Sequence, residues 1–179
     1  IDSAGGGGLL RFNIFERNRD DGIDLDQASA AVIEHNIVRN NRDDGIEIRL
    51  HEYAGPVLNI VIRENVITGN GEDGIQIIDY PHVSDRVIRI ERNVIAGSAM
   101  AGLGLMGNGV TRENYEGADI PERIYVTNNT FSGNEYGMTG GDNAVVLNNI
   151  FVGHRKAALK RVDGNSVAAH NLFWDNGTD

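Results

Sequence analysis

Asparagine returns along this chain at near-regular intervals, at Asn13, Asn36, Asn65, Asn93, Asn129, Asn149 and Asn171, with steps of 23, 29, 28, 36, 20 and 22 residues. Five positions after each lies a second polar column: Asn18, Asn41, Asn70, Ser98, Asn134, His154 and Asn176. A glycine then opens a short apolar run, as in Gly22-Ile23, Gly45-Ile46, Gly74-Ile75, Gly102-Leu103 and Gly137-Met138. Residues 32–50, VIEHNIVRNNRDDGIEIRL, hold one complete copy. A period of about 20 to 50 residues marks stacked repeats, and apolar residues that alternate with polar ones mark strands rather than helices. The chain is therefore expected to be an all-β solenoid of about seven coils.

Each coil offers three short strands. In the third copy, residues 59–63 (NIVIR) read as the first strand, Asn65 as a tight corner and residues 66–68 as the second strand. A turn over 69–73 leads to the third strand, 74–78 (GIQII). Alternation sends Ile60, Ile62, Ile67, Ile75 and Ile77 into a narrow core and polar partners outward. The corner asparagine is expected to adopt left-handed backbone angles and to bond its counterparts about 4.8 Å away in the adjacent coils. Phe15, Val38, Ile67, Ile95, Phe131, Phe151 and Phe173 share one register and should stack in the same way. Both columns read as structural, not as ligand sites.

Length varies at one corner only, after the Gly-Ile strand, over residues 27–29, 51–56, 79–85, 107–121, 139–142 and 160–164. Insertions in solenoids gather on one face, and that face is where binding usually occurs. Residues 1–8, IDSAGGGG, are expected to form a flexible entry, with the solenoid over 9–179. Bare coil ends expose strand edges, so the chain is expected to continue into flanking coils or to associate end to end.

Charge and composition exclude several classes. A formal charge of -10 disfavours nucleic acid and anionic membrane, which need clustered Lys and Arg, and suits a hard cation. The absence of cysteine removes disulfides and zinc-thiolate sites. No apolar run approaches the roughly 18 residues of a membrane span, so no membrane insertion is expected.

The order strand, asparagine corner, strand, turn, Gly-Ile strand resembles the right-handed parallel β-helix of the pectate-lyase-like superfamily, and the resemblance runs from Leu9 almost to the end. It implies a single-stranded, right-handed parallel β-helix. Since that superfamily spans lyases, hydrolases, epimerases, tailspikes and non-catalytic surface proteins, it leaves the activity open. Asn18 to Asp24 (NRDDGID) and Asp43-Asp44 also resemble the polygalacturonase pattern, but an extra residue intervenes. Gly71-Glu72-Asp73-Gly74 stands where that family has Gly-His-Gly, and no Arg-Ile-Lys follows, so hydrolysis of that type is not expected.

Two constellations could carry chemistry. Stacking the first three coils on their glycines places Asp21, Asp44 and Asp73 in one column, Asp20, Asp43 and Glu72 beside it, and Asp24, Glu47 and Gln76 in an outward column. Carboxylates repeated at about 4.8 Å repel one another, and a calcium ion with six to eight oxygens would relieve this. Asp20, Asp21, Asp24, Asp43, Asp44, Glu47 and Asp73 are the candidate calcium ligands. The alternative is Asp-Gly turn chemistry with Arg19 and Arg42 neutralising the charge.

The second set lies in two equivalent inserts, where a shift of 29 residues maps His51 onto Tyr80 and Tyr53 onto His82, with Arg49 on the preceding strand. Removing the proton beside a uronate carboxylate needs a base, a proton donor and a positive group, roles that His51, Tyr53, Tyr80, His82 and Arg49 could fill. The alternative is that these are amphipathic loop residues covering apolar surface. The expected function is an extracellular or cell-surface module that resembles uronate polysaccharide lyases or epimerases and binds an acidic polysaccharide along the Gly-Ile strands. The competing expectation is a non-catalytic scaffold of a surface protein, tailspike or self-assembling filament.

Overall fold

The computed structural model describes residues 6–107, 118 and 120–178. Among these residues three parallel sheets form, of seven, seven and six strands, each taking one strand per coil in chain order. In the third coil Leu58–Arg63 lies in the first sheet, Val66–Thr68 in the second and Ile75–Ile78 in the third. The chain then returns to the first sheet at Arg86–Glu91, where Ile88 falls beside Ile60 and Ile90 beside Ile62. The parallel β-helix expected from the repeat is the fold of the chain.

Period-two alternation sets the core. Ile60, Ile62, Ile67, Ile75 and Ile77 are all at most 1% exposed. Burying each contributes roughly 1.5–3 kcal/mol relative to leaving it in water. The column from Phe15 to Phe173 pairs residue by residue, and its rings stack with centroids 4.8 Å apart for Phe131–Phe151 and 5.4 Å for Phe151–Phe173.

The asparagine ladder is present. Asn65 Oδ1 accepts from the backbone N of Asn36 at 2.9 Å and from its Nδ2 at 3.0 Å, while Asn65 Nδ2 donates to Asn93 Oδ1 at 3.0 Å and to the Ile33 carbonyl at 2.9 Å. The same bonds continue up to Asn171. The left-handed angles, however, belong to the residue before each asparagine: Phe12, His35, Glu64, Arg92, Asn128, Asn148 and His170, with φ between 54° and 58°. The expectation that the asparagine itself adopts them is corrected. A buried amide that must bond along the solenoid axis in both directions is best served by ordinary backbone angles, and the preceding residue makes the turn.

The repeated glycines also have a different cause from the turn chemistry expected of them. A Cβ at Gly22, Gly45, Gly74, Gly102 or Gly137 would lie 2.4–2.8 Å from a carbonyl oxygen of the next coil. None of these five has positive φ, so close stacking of backbones selects glycine, not the turn.

Two further expectations change. The first strand is Gly6–Arg11, so the last three residues of the glycine-rich entry are strand, pairing with Ala30–Glu34. The second sheet does not turn only polar residues outward. Ile14, Val66, Val94, Ile150 and Leu172 occupy one outward column and are 41–59% exposed, because β-branched and aliphatic side chains suit a pleated surface even where it faces water. Part of the insert at 107–121 lies outside the described residues.

Candidate functional site

The third sheet places the outward residues of three consecutive coils side by side. Ile23–Leu25, Ile46–Arg49 and Ile75–Ile78 pair so that Asp24 lies beside Glu47 and Glu47 beside Gln76. Outward residues of a sheet are normally solvated, yet Glu47 is 3% exposed and Gln76 fully buried. The turns before these strands supply Asp20, Asp21, Asp43, Asp44 and Glu72, which with Glu47 and Arg49 line a cleft of about 330 Å³.

One carboxylate oxygen each of the cleft residues Asp21 and Glu47 and of the neighbouring Asp24 lie within 4.8 Å of one another. Arg49 is the cation among them. Its Nη2 is 2.5 Å from Glu47 Oε1, and its Nη1 is 3.8 Å from Asp24 Oδ2 and 3.7 Å from Asp26 Oδ1. Of the neutralising charge expected from Arg19 and Arg42, Arg42 approaches Asp43 at 4.0 Å, and Arg49 adds the closer contacts. His51 forms the adjoining wall, with Nε2 3.4 Å from Asp26 Oδ1 and its ring stacked on Tyr80 at 4.2 Å between centroids.

Negative charge outweighs the single guanidinium. Burial pushes Glu47 up to about 8, the Asp21 charge adds to this, and Arg49 opposes it. The short contact with Arg49 favours the carboxylate while burial and the neighbouring acids favour the carboxylic acid, so Glu47 sits near the balance at neutral pH. Asp44 is raised well above the usual carboxylate range, first by burial, partly offset by its bond from Asp73, then by Asp21, Glu47 and Glu72. Asp21 and Asp43 are also raised, again chiefly by burial. For Arg49 burial works against the charge, yet Glu47, Asp24 and Asp26 raise its pKa overall.

The structure divides the candidate calcium ligands. Asp21, Asp24 and Glu47 converge, and Asp20, Asp43 and Asp44 line the cleft around them. The Asp21, Asp44 and Asp73 column is itself a ladder: Asp21 Oδ1 accepts from Asp44 N at 2.8 Å, Asp44 Oδ1 from Asp73 N at 2.6 Å and Asp73 Oδ1 from Ala101 N at 2.6 Å. Asp73 is fully buried, and its Oδ1 is bonded to the next coil as part of that ladder.

The second set divides too. His51, Tyr80 and Arg49 border the acidic cluster, while Tyr53 lies under the Arg86 guanidinium at 5.4 Å and His82 reaches Glu52 at 3.9 Å. The 29-residue shift holds for His51 and Tyr80, which stack on each other, but not for Tyr53 and His82, because the inserts differ in length and path. Arg86, Ser84 and Glu122 around this wall were not anticipated. One signal was present in the sequence, since Arg86 pairs with Leu58 and so puts a charge at a core-side position.

The oxygen set fits a hard cation. Donors bonded to one calcium ion at about 2.3–2.6 Å are separated by up to twice that length, which matches the spread of Asp21, Asp24 and Glu47.

The family model for the right handed beta helix region matches residues 2–95, more than half of the 179 residues and the whole of the cleft. No curated protein and no solved structure gives a match. With three parallel sheets, a continuous asparagine ladder and that match, the chain belongs to the right-handed β-helix family.

Proposed function

We propose that this chain is a carbohydrate-active β-helix module, extracellular or at the cell surface. On this reading it binds an acidic polysaccharide along the third sheet through a divalent cation, calcium being the best fit. The observation that supports the reading is the convergence of Asp21, Asp24 and Glu47 at a cleft whose lining acids outnumber its one arginine. Such a cluster takes up protons or a cation, and a bound cation would in turn attract the carboxylate of a uronate. Arg49 is the side chain that could meet that carboxylate once a cation takes its place at Glu47. His51 and Tyr80, on the adjoining wall, supply a base and a proton donor for removing the proton beside the carboxylate, the step shared by lyases and epimerases.

The test is to incubate the protein with a panel of acidic polysaccharides, with calcium or with a chelator, and follow the ultraviolet absorbance of unsaturated uronate and the epimer ratio by NMR. Calcium should raise the melting temperature by mass action, and Asp24→Asn or Glu47→Gln should remove that rise. A melt indifferent to calcium and chelator would refute the cation. Calcium stabilisation without any turnover would favour the second reading, a non-catalytic scaffold, which the exposed aliphatic column on the second sheet also supports.

A further inference from the structure

One buried guanidinium touches the variable turns of several coils. Arg86 is 3% exposed. Its Nη2 donates to the carbonyl of Gln27 at 2.5 Å and to that of His51 at 2.9 Å, and its Nη1 donates to Ser84 Oγ at 2.5 Å. Glu122 Oε1 accepts from Ser84 N at 3.0 Å and from Ser84 Oγ at 2.5 Å, and the Tyr53 ring lies beneath the guanidinium. Four successive inserts, around Gln27, His51, Ser84 and Glu122, are therefore joined through one side chain and its immediate partner. Each belongs to the third corner, where the described residues form no ladder of asparagines.

We propose that Arg86 is a positioning residue for the wall of the acidic cleft: by gripping the backbone of His51 and Gln27 it holds the His51 ring against Tyr80 and beside Asp26. Insert residues 51–56 contain no strand, so the place of His51 must be set by tertiary contacts, among them the part-buried bond from Arg86 to its carbonyl. Only a planar fork meets two carbonyls and a hydroxyl at once, which a lysine ammonium on a flexible stem does not reproduce. A catalytic part for His51 rests on the function proposed above, but the positioning of its ring does not.

The experiment uses Arg86→Lys and the double variant Arg86→Met/Glu122→Gln, which removes the guanidinium together with the carboxylate it faces across Ser84. The readout is the NMR shift of the His51 ring protons, which stacking on Tyr80 moves upfield; Tyr80→Leu calibrates the full displacement. In both Arg86 variants most of that displacement should be lost while the far-UV spectrum stays that of the β-helix. His51 signals unmoved in a folded variant would overturn the proposal. Loss of the β spectrum in both variants would also overturn it, by assigning Arg86 to the fold as a whole. Calcium titrated into the same samples separates the two ideas. A wild type that shows the upfield shift but binds no calcium keeps Arg86 in its role and removes the cation reading.

Discussion

His154 occupies the second polar ladder where most other coils place asparagine, and it makes the fold sensitive to acid. It is 2% exposed, and its backbone N donates to Asn176 Oδ1. Burial, joined by the Arg155 charge and partly offset by the backbone of Asn134 and Phe131, lowers its pKa from 6.5 to about 4. Between those values the unfolded chain binds a proton that the folded one refuses. The stability contributed by the neutral ring is thus fully present above pH 6.5 and is lost as the pH falls toward 4. From pH 7 to pH 5 the loss is at most about 2 kcal/mol, and about 1–2 kcal/mol after allowing for solvent screening near the solenoid surface. Urea denaturation of the wild type and His154→Asn at the two pH values measures it. The variant restores an amide to the ladder, so the difference between the two proteins isolates the imidazole from the many carboxylates that titrate in the same range. If both proteins change stability equally between pH 7 and pH 5, the reasoning fails.

Gly45→Ala would place a Cβ 2.4 Å from the Gly74 carbonyl oxygen and 2.8 Å from Ile67 Cγ2. It should cost about 1–3 kcal/mol by overpacking, read from the denaturant midpoint. Asn93→Ala removes the acceptor for Asn65 and the donor to Ile62 and Asn129, all buried, and should cost about 3 kcal/mol or more in the same assay. Glu47, raised from 4.5 to about 8, holds a proton in the fold that the unfolded chain releases, so without a cation stability should fall as the pH rises from 4.5 through 8. Glu47→Gln should flatten that slope relative to wild type in calcium-free buffer, and an unchanged slope would show that another group carries it.

Much of this architecture was legible because stacking forces like onto like. The asparagine column, the Phe15 to Phe173 column and the strand triplet of each coil follow from identical environments repeating along one axis, so spacing alone reveals them. Features without a residue signature were not legible. The left-handed corner position is filled by Phe12, His35, Glu64 and Arg92 in turn, four side chains with nothing in common, because only the backbone angle is repeated there. The site was half legible for a related reason. Asp24 and Glu47 share a strand register and could be aligned, whereas the Arg49 side chain folds back among the acids, and Arg86 reaches across inserts of unequal length that no alignment of repeats relates.

The two corners of each coil are not equal partners to the third. At the first corner the ladder asparagine bonds to the coil on either side, and at the second the Asn41 column does the same, so one added residue there would break bonds in three coils at once. Among the described residues the third corner has no such column, and it already accepts turns of many lengths. Foreign peptides of arbitrary sequence could therefore be displayed there, most readily at residues 160–164 of the sixth coil, away from the cleft. The solenoid would act as a ruler, presenting them at multiples of the strand spacing, about 4.8 Å.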